Sequence, residues 1–306
     1  MIDFVSKRQW FFLISWILIV IGIVSLVISQ IQIKSPLQLG IDFTGGTSMI
    51  LQFSSEVEQD QLREEMTELG YDEARIQDAG EGNFIIHTRE ITADEARELA
   101  EKLGVELDSQ VERTDYYFVS GTVAGKTARN AVIAVIVAAV AMMLYIVWAF
   151  RRMPSPFRWG TCAVIALIHD VFIIVGIFSL LGLLAGVAVD AMFITGLLAV
   201  VGYSINNTVV IFDRIRENVS RQIRPDFAAT INDSLVETLG RCLNTALTTL
   251  FVLLALFLFG GATIQYFVLV LLIGVIIGTY SSICISSQLL VLWEKREWRA
   301  LLPFTK

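Results

Sequence analysis

Six stretches of the chain are long and almost free of charge: residues 10–28, 131–150, 161–184, 192–212, 243–259 and 266–293. A helix needs about 20 residues, at about 1.5 Å each, to cover the hydrocarbon core of a bilayer. Each stretch is near that length, which predicts six membrane-spanning helices. The first two enclose a charge-rich segment, residues 30–130. The expected organisation is therefore an N-terminus and first span (1–29), an inserted domain (30–130), five further spans (131–293) and a C-terminal tail (294–306).

Within the insertion the period changes. Residues 47–53 read as a strand, and 59–69 as a helix with Leu62, Met66 and Leu69 on one face and Gly70 as its stop. Residues 75–78 and 83–88 read as two strands joined across Gly80 and Gly82. Thr92 and Glu95 form a capping box for a second helix, with Ala96, Leu99, Ala100 and Leu103 as its apolar face and Gly104 as its stop. A last strand is expected at 115–119. The order strand-helix-strand-strand-helix-strand is that of a ferredoxin-like α+β domain.

Composition supports the membrane reading: 55% of residues are hydrophobic, 17% are charged, and the mean hydropathy is +0.66. Lys7 and Arg8 before the first stretch resemble the basic start of a signal peptide. The stretch is too long for one, and no small-residue cleavage pattern follows, so a retained anchor is expected. Cys162, Cys242 and Cys284 lie in or beside spans, with neither a disulfide framework nor metal-ligand spacing.

Basic residues set the expected orientation. They gather before the first span (Lys7, Arg8), between the second and third (Arg151, Arg152, Arg158), between the fourth and fifth (Arg214, Arg216, Arg221, Arg224, Arg241) and after the sixth (Lys295, Arg296, Arg299, Lys306). The connections 186–190 and 260–265 carry none. Both termini are then cytoplasmic and the insertion faces outward. The insertion is acidic, with 20 Asp and Glu against 9 Lys and Arg, but a loop of that length does not set topology.

Two segments of the insertion invite chemical readings. Residues 120–127, Ser-Gly-Thr-Val-Ala-Gly-Lys-Thr, look like a phosphate loop, but the glycine spacing is one residue short and the segment leads into a span. Residues 40–47, Gly-Ile-Asp-Phe-Thr-Gly-Gly-Thr, read as a chain reversal between the first span and the first strand.

Polar residues inside spans are expensive unless paired or facing water, so they mark candidate sites. His169 and Asp170 interrupt the third span, and Asn206, Asn207 and Thr208 the fourth. Arg241 opens the fifth, followed by Asn244, Thr245, Thr248 and Thr249; the sixth carries Thr279, Tyr280, Ser281, Ser282, Ser286, Ser287 and Gln288. The scattered hydroxyls read as interhelical hydrogen bonding, whereas Asn206, Asn207 and Arg241 read as a functional cluster. Asp213, beside Arg214 and Arg216, reads as a solvated charge run at the cytoplasmic boundary. Gly274 and Gly278 form a small-xxx-small pair suited to close helix packing.

These motifs together closely resemble the SecF family of protein-export membrane subunits. The residues that carry the likeness are Gly-Ile-Asp-Phe-Thr-Gly-Gly at 40–46, His169-Asp170, Gly-Tyr-Ser-Ile-Asn-Asn-Thr-Val-Val-Ile-Phe-Asp-Arg-Ile-Arg-Glu-Asn at 202–218, and Phe-Gly-Gly at 259–261. The resemblance implies half of an RND-superfamily transporter: six helices with a small periplasmic ferredoxin-like domain between the first two. It implies an auxiliary, non-enzymatic subunit that works with SecD at the SecYEG channel, alongside YidC and YajC. Such a subunit uses the proton or sodium motive force to promote export of unfolded preprotein. It implies a multi-pass protein of the bacterial inner membrane (or a thylakoid, in a cyanobacterium), with no cofactor, no metal and no nucleic-acid partner.

One position departs from the family. Where Asn207 stands, relatives carry an aspartate thought to act in ion coupling with an arginine 34 residues later, and Arg241 fills that second position. An amide cannot titrate. Coupling then rests on carboxylates of the SecD partner, or Asp170 substitutes, or the copy is uncoupled, or the asparagine is an introduced change. The ion-coupling candidates are thus Asn207, Arg241, Asp170, Asn206 and Asp213. Two alternatives stand beside the translocase reading: half of an RND-type exporter of small molecules or lipids, and a non-coupling scaffold for SecD.

Overall fold

The computed structural model describes residues 3–55, 57–80, 82–222, 224–297 and 301; Arg299 and Lys306 lie outside the described residues. The chain divides into two compact units, one of residues 26–132 and 178–194, the other of residues 1–25, 133–177 and 195–306.

The first unit holds a four-stranded antiparallel sheet. In chain order its elements are α2 (Ile41–Thr44, after α1, Arg8–Gln32), β1 (Gly46–Phe53), α3 (Gln59–Glu68), β2 (Arg75–Gly80), β3 (Asn83–Thr88), α4 (Ala93–Glu106) and β4 (Val111–Val119). The spatial order is β2-β3-β1-β4, with Met49 opposite Ile86 and Tyr116. This is the ferredoxin-like arrangement that the sequence implies. Met49, Leu51, Phe53, Ile76, Phe84 and Ile86 bury one sheet face against Leu62, Met66, Ala96, Leu99 and Leu103 of the helices. Alternation along the strands and helical spacing in α3 and α4 create those two faces.

The capping box at Thr92 and Glu95 forms, with Glu95 Oε2 accepting from Thr92 N at 2.7 Å and Thr92 Oγ1 from Glu95 N at 3.3 Å. Gly70, at φ 84°, ends α3 as expected. Gly104 does not end α4, which continues to Glu106. Its missing Cβ instead lets the returning chain approach: a Cβ there would lie 3.2 Å from Ser109 O. Strand β4 is longer than 115–119 because polar residues 112–115 sit on an edge strand, where alternation is not enforced.

The reversal at 40–46 is a single helical turn followed by Gly45 and Gly46, both at positive φ. It is tied to the 186–190 connection: Gly40 N donates to Val189 O at 2.8 Å, and Asp42 Oδ2 accepts from Ala191 N at 2.9 Å.

Among the described residues, six helices are long and apolar enough to cross a membrane. They are α1, α5 (Gly121–Ala149), α6 (Pro156–Ala185), α7 (Ala191–Ser220), α8 (Phe227–Phe259) and a sixth made of α9 (Ala262–Ser281), a π-helical turn (Ser282–Ser286) and α10 (Ser287–Lys295). Residues 121–127 form the first turns of α5, not a loop, so the phosphate-loop likeness has no structural counterpart.

In the second unit, α6, α7 and the sixth span bury about half or more of their apolar stretches, whereas α1, α5 and α8 leave most of theirs exposed. Close backbone approach holds the buried helices. A Cβ on Gly176 of α6 would lie 2.6 Å from Gly22 Cα of α1. Gly274 and Gly278 face Val200 and Ser204 of α7, so the small-xxx-small pair is used inside this chain. At one end Phe150 and Trp159 stack with ring centroids 5.2 Å apart, and Phe212 packs edge-on against both, at 6.0 and 5.3 Å.

Candidate functional site

Three buried helices converge on one carboxylate. Asp170, in the middle of α6, is 2% exposed. Its Oδ2 accepts from Ser204 Oγ of α7 and from Ser281 Oγ of α9, both at 2.7 Å. Its Oδ1 lies 3.0 Å from His169 Nδ1. A buried carboxylate is tolerable only with such partners, and here all come from side chains of spanning helices.

The network continues on either side. His169 Nε2 lies 2.9 Å from Ser15 Oγ of α1, and Ser15 Oγ lies 3.3 Å from Tyr280 Oη. Tyr280 donates to Phe11 O at 2.6 Å. Along α7, Ser204, Asn207 and Thr208 share a face at i, i+3 and i+4. Asn207 is buried and donates from Nδ2 to Thr279 Oγ1 at 3.3 Å, and Thr208 Oγ1 lies 2.9 Å from Ser282 Oγ. Ser282 sits at the start of the π-helical turn, a local unwinding often found at functional positions.

The structure separates the other expected site residues from this cluster. Asn206, one residue (100°) around the helix from Asn207, is exposed. Arg241 is exposed on α8, and among the described residues no ion pair joins it to a carboxylate. Asp213 pairs with Arg216 at 2.5 Å on the exposed side of α7, the solvated charge run anticipated. The threonines of α8 bond back to their own helix: Thr245 Oγ1 donates to Arg241 O at 2.9 Å and Thr249 Oγ1 to Thr245 O at 2.9 Å. The sequence reading missed Ser15 and Ser204. Ser204 had a signal, since it lies three residues before Asn207 on the same helical face; Ser15, a lone hydroxyl in an apolar span, had none.

Outside the spans, the sheet unit holds two perturbed groups. Burial, aided by the Arg75 guanidinium, pushes His87 down to about 4. Burial and the neighbouring Asp42 carboxylate raise Asp190, whose Oδ1 accepts from Phe193 N at 2.8 Å at the start of α7.

Residues 100–296 match the model of the C-terminal region of the protein export membrane protein SecD/SecF, and residues 33–57 match the SecD/SecF GG motif. Over 309 aligned residues the chain is 41% identical to the protein translocase subunit SecF of Thermobaculum terrenum, covering 97% of this chain and 96% of that protein. It is 33% identical to the protein translocase subunit SecDF of Bacillus subtilis, covering 96% of this chain but 38% of the longer protein. The crystal structure of SecDF from Thermus thermophilus, a translocon-associated membrane protein, superposes with a TM-score of 0.84 at 32% identity. That match covers 96% of this chain and 39% of the SecDF chain, so this chain spans about two-fifths of that molecule.

Proposed function

The chain belongs to the SecD/SecF protein-export family, and from that premise we propose that it is the ion-coupled, SecF-type half of a two-part machine in the Sec pathway. The other half is a SecD-type chain. Support comes from the SecDF relatives, in which the matching region is well under half of a single longer chain. In this reading the pair sits in the bacterial inner membrane with the SecYEG channel, and with YidC and YajC, and acts on unfolded preprotein. The Lys and Arg distribution supports cytoplasmic termini and a periplasmic sheet unit.

One observation carries the coupling: a fully buried carboxylate, Asp170, held by side chains of α6, α7 and α9. A group that gains and loses charge between packed helices changes their hydrogen bonding, and thus the arrangement they favour. Asn207 cannot do this, and its bond to Thr279 is ordinary interhelical hydrogen bonding. That bond favours a second reading, a non-coupling scaffold for the SecD-type half.

The test is export of a preprotein in a strain lacking its own SecF-type subunit. Asp170→Asn, at normal protein level, is expected to lose the part of export that depends on the ion motive force. Wild-type stimulation by that variant would leave the scaffold reading standing.

A further inference from the structure

We propose that Tyr280 and Ser15 form a proton relay onto the buried His169–Asp170 pair, which alternates between one bound proton and two. The inference rests on the ion-coupled reading above and names the path and the proton-holding atoms within it.

The geometry of the heavy atoms permits both states without movement. With one proton on the pair, His169 Nδ1–H donates to Asp170 Oδ1 across 3.0 Å, and the free Nε2 accepts the Ser15 hydroxyl across 2.9 Å. With a second proton, Nε2–H donates to Ser15 Oγ, and the Ser15 hydroxyl turns to donate to Tyr280 Oη across 3.3 Å. At rest the Tyr280 hydroxyl donates to Phe11 O; in the transfer it turns to give its proton to Ser15 Oγ, takes one from a hydronium ion in exchange, and then donates to Phe11 O again. Histidine, serine and tyrosine are each able to donate and accept, which a relay needs at every step.

The other carboxylate oxygen is closed. Two hydroxyls, from Ser204 and Ser281, already donate to Oδ2, so the added proton is directed to the His169 side. Balance is simple: a hydronium ion gives up one proton at the Tyr280–Ser15 end and leaves as water, only O–H and N–H bonds are exchanged along the relay, and the pair goes from net charge −1 to 0. The titratable groups around it are Tyr280 from α9, with Cys284 beyond it, while α1 and α7 contribute the hydroxyls of Ser15 and Ser204. Among the described residues no lysine or arginine bonds to the pair.

The experiment places the chain, assembled with its SecD-type half, in liposomes containing a pH-sensitive dye and follows proton entry under an imposed potential. Ser15→Ala is expected to slow proton entry by about a hundredfold, the lower end of what a positioned proton-transfer group contributes. Tyr280→Phe is expected to slow it as well, while Ser15→Thr, which keeps the hydroxyl, restores it. Assembly of the pair, read by size-exclusion chromatography, is the same in all three. Wild-type proton entry in both Ser15→Ala and Tyr280→Phe, with Asp170→Asn inactive, would overturn the relay and leave coupling through Asp170 intact. Wild-type entry in Asp170→Asn would overturn the ion-coupled reading and the relay with it.

Discussion

Gly278 of α9 lies directly against Ser204 of α7: a Cβ on the glycine would come within 2.9 Å of the serine Cβ. The same serine donates to Asp170 at 2.7 Å. Helix packing and the electrostatics of the buried carboxylate are therefore one feature. The glycine sets how near α7 stands to α9, and that distance allows Ser204 and Ser281 to bind the same oxygen.

Gly278→Ala should push Ser204 away and loosen Asp170 at once. Overpacking of a tight contact costs about 1–3 kcal/mol. The variant is expected to unfold at a lower temperature in detergent and to share the export defect of Ser204→Ala. An unchanged melting temperature together with normal export would show that the approach of the two helices does not support the site.

Gly46 is the glycine that the sheet unit can least spare. It sits at φ 120°, and a Cβ would collide with Thr88 O on the neighbouring strand. A side chain held at such a φ costs about 1–3 kcal/mol before the collision is counted. Gly46→Ala should therefore speed amide exchange along β1 and β3 in the assembled protein. Gly121→Ala, where the added methyl meets nothing within 4 Å, should leave exchange unchanged. Equal protection in the two variants would refute the assignment.

The spans were legible because hydrocarbon thickness imposes a length and a composition that little else in a sequence imitates. Their ends were not. Lys126 and Arg129 interrupt the hydropathy of α5 without interrupting the helix, and α8 starts at Phe227, capped by Asp226, well before the apolar run at 243. The carboxylate of the site was legible for the same reason as the spans, since Asp170 stands in apolar sequence. Its hydroxyl partners were not, because a serine or threonine that bonds to its own helix, such as Thr245, looks the same in sequence as Ser204 or Ser281, which bond across helices. Asn206 and Asn207 differ only by 100° of rotation, and the packing of α7 decides which one is buried.

His87 should make the sheet unit acid-sensitive. Burial lowers its pKa to about 4 from an ordinary value of 6.5, so the unfolded chain binds a proton that the folded one refuses. Stability is fully present above 6.5 and is lost as pH falls toward about 4. The loss is on the order of 3 kcal/mol at most. Amide exchange in β3 of the wild type should accelerate across that window, and His87→Gln should flatten the dependence. A variant whose pH profile matched the wild type would place the acid sensitivity elsewhere.

Arg241 carries a charge on the exposed side of α8, next to the apolar run that starts at 243, and no carboxylate of the described residues pairs with it. An arginine stays charged, so within a membrane it needs an acceptor, and stranding a buried partner can cost about 3–5 kcal/mol. We expect the SecD-type half to supply that acceptor. Arg241→Met should then abolish export stimulation while the two halves still co-purify. Asn207→Ala should be milder, because it removes a neutral amide whose bond to Thr279 is 3.3 Å long. Asn207→Asp should raise the dependence of export on the proton gradient, since it adds a titratable group between α7 and α9. Normal export by Arg241→Met at normal protein level would mean that this arginine has no part in coupling and that its exposure reflects contact with lipid headgroups or water alone.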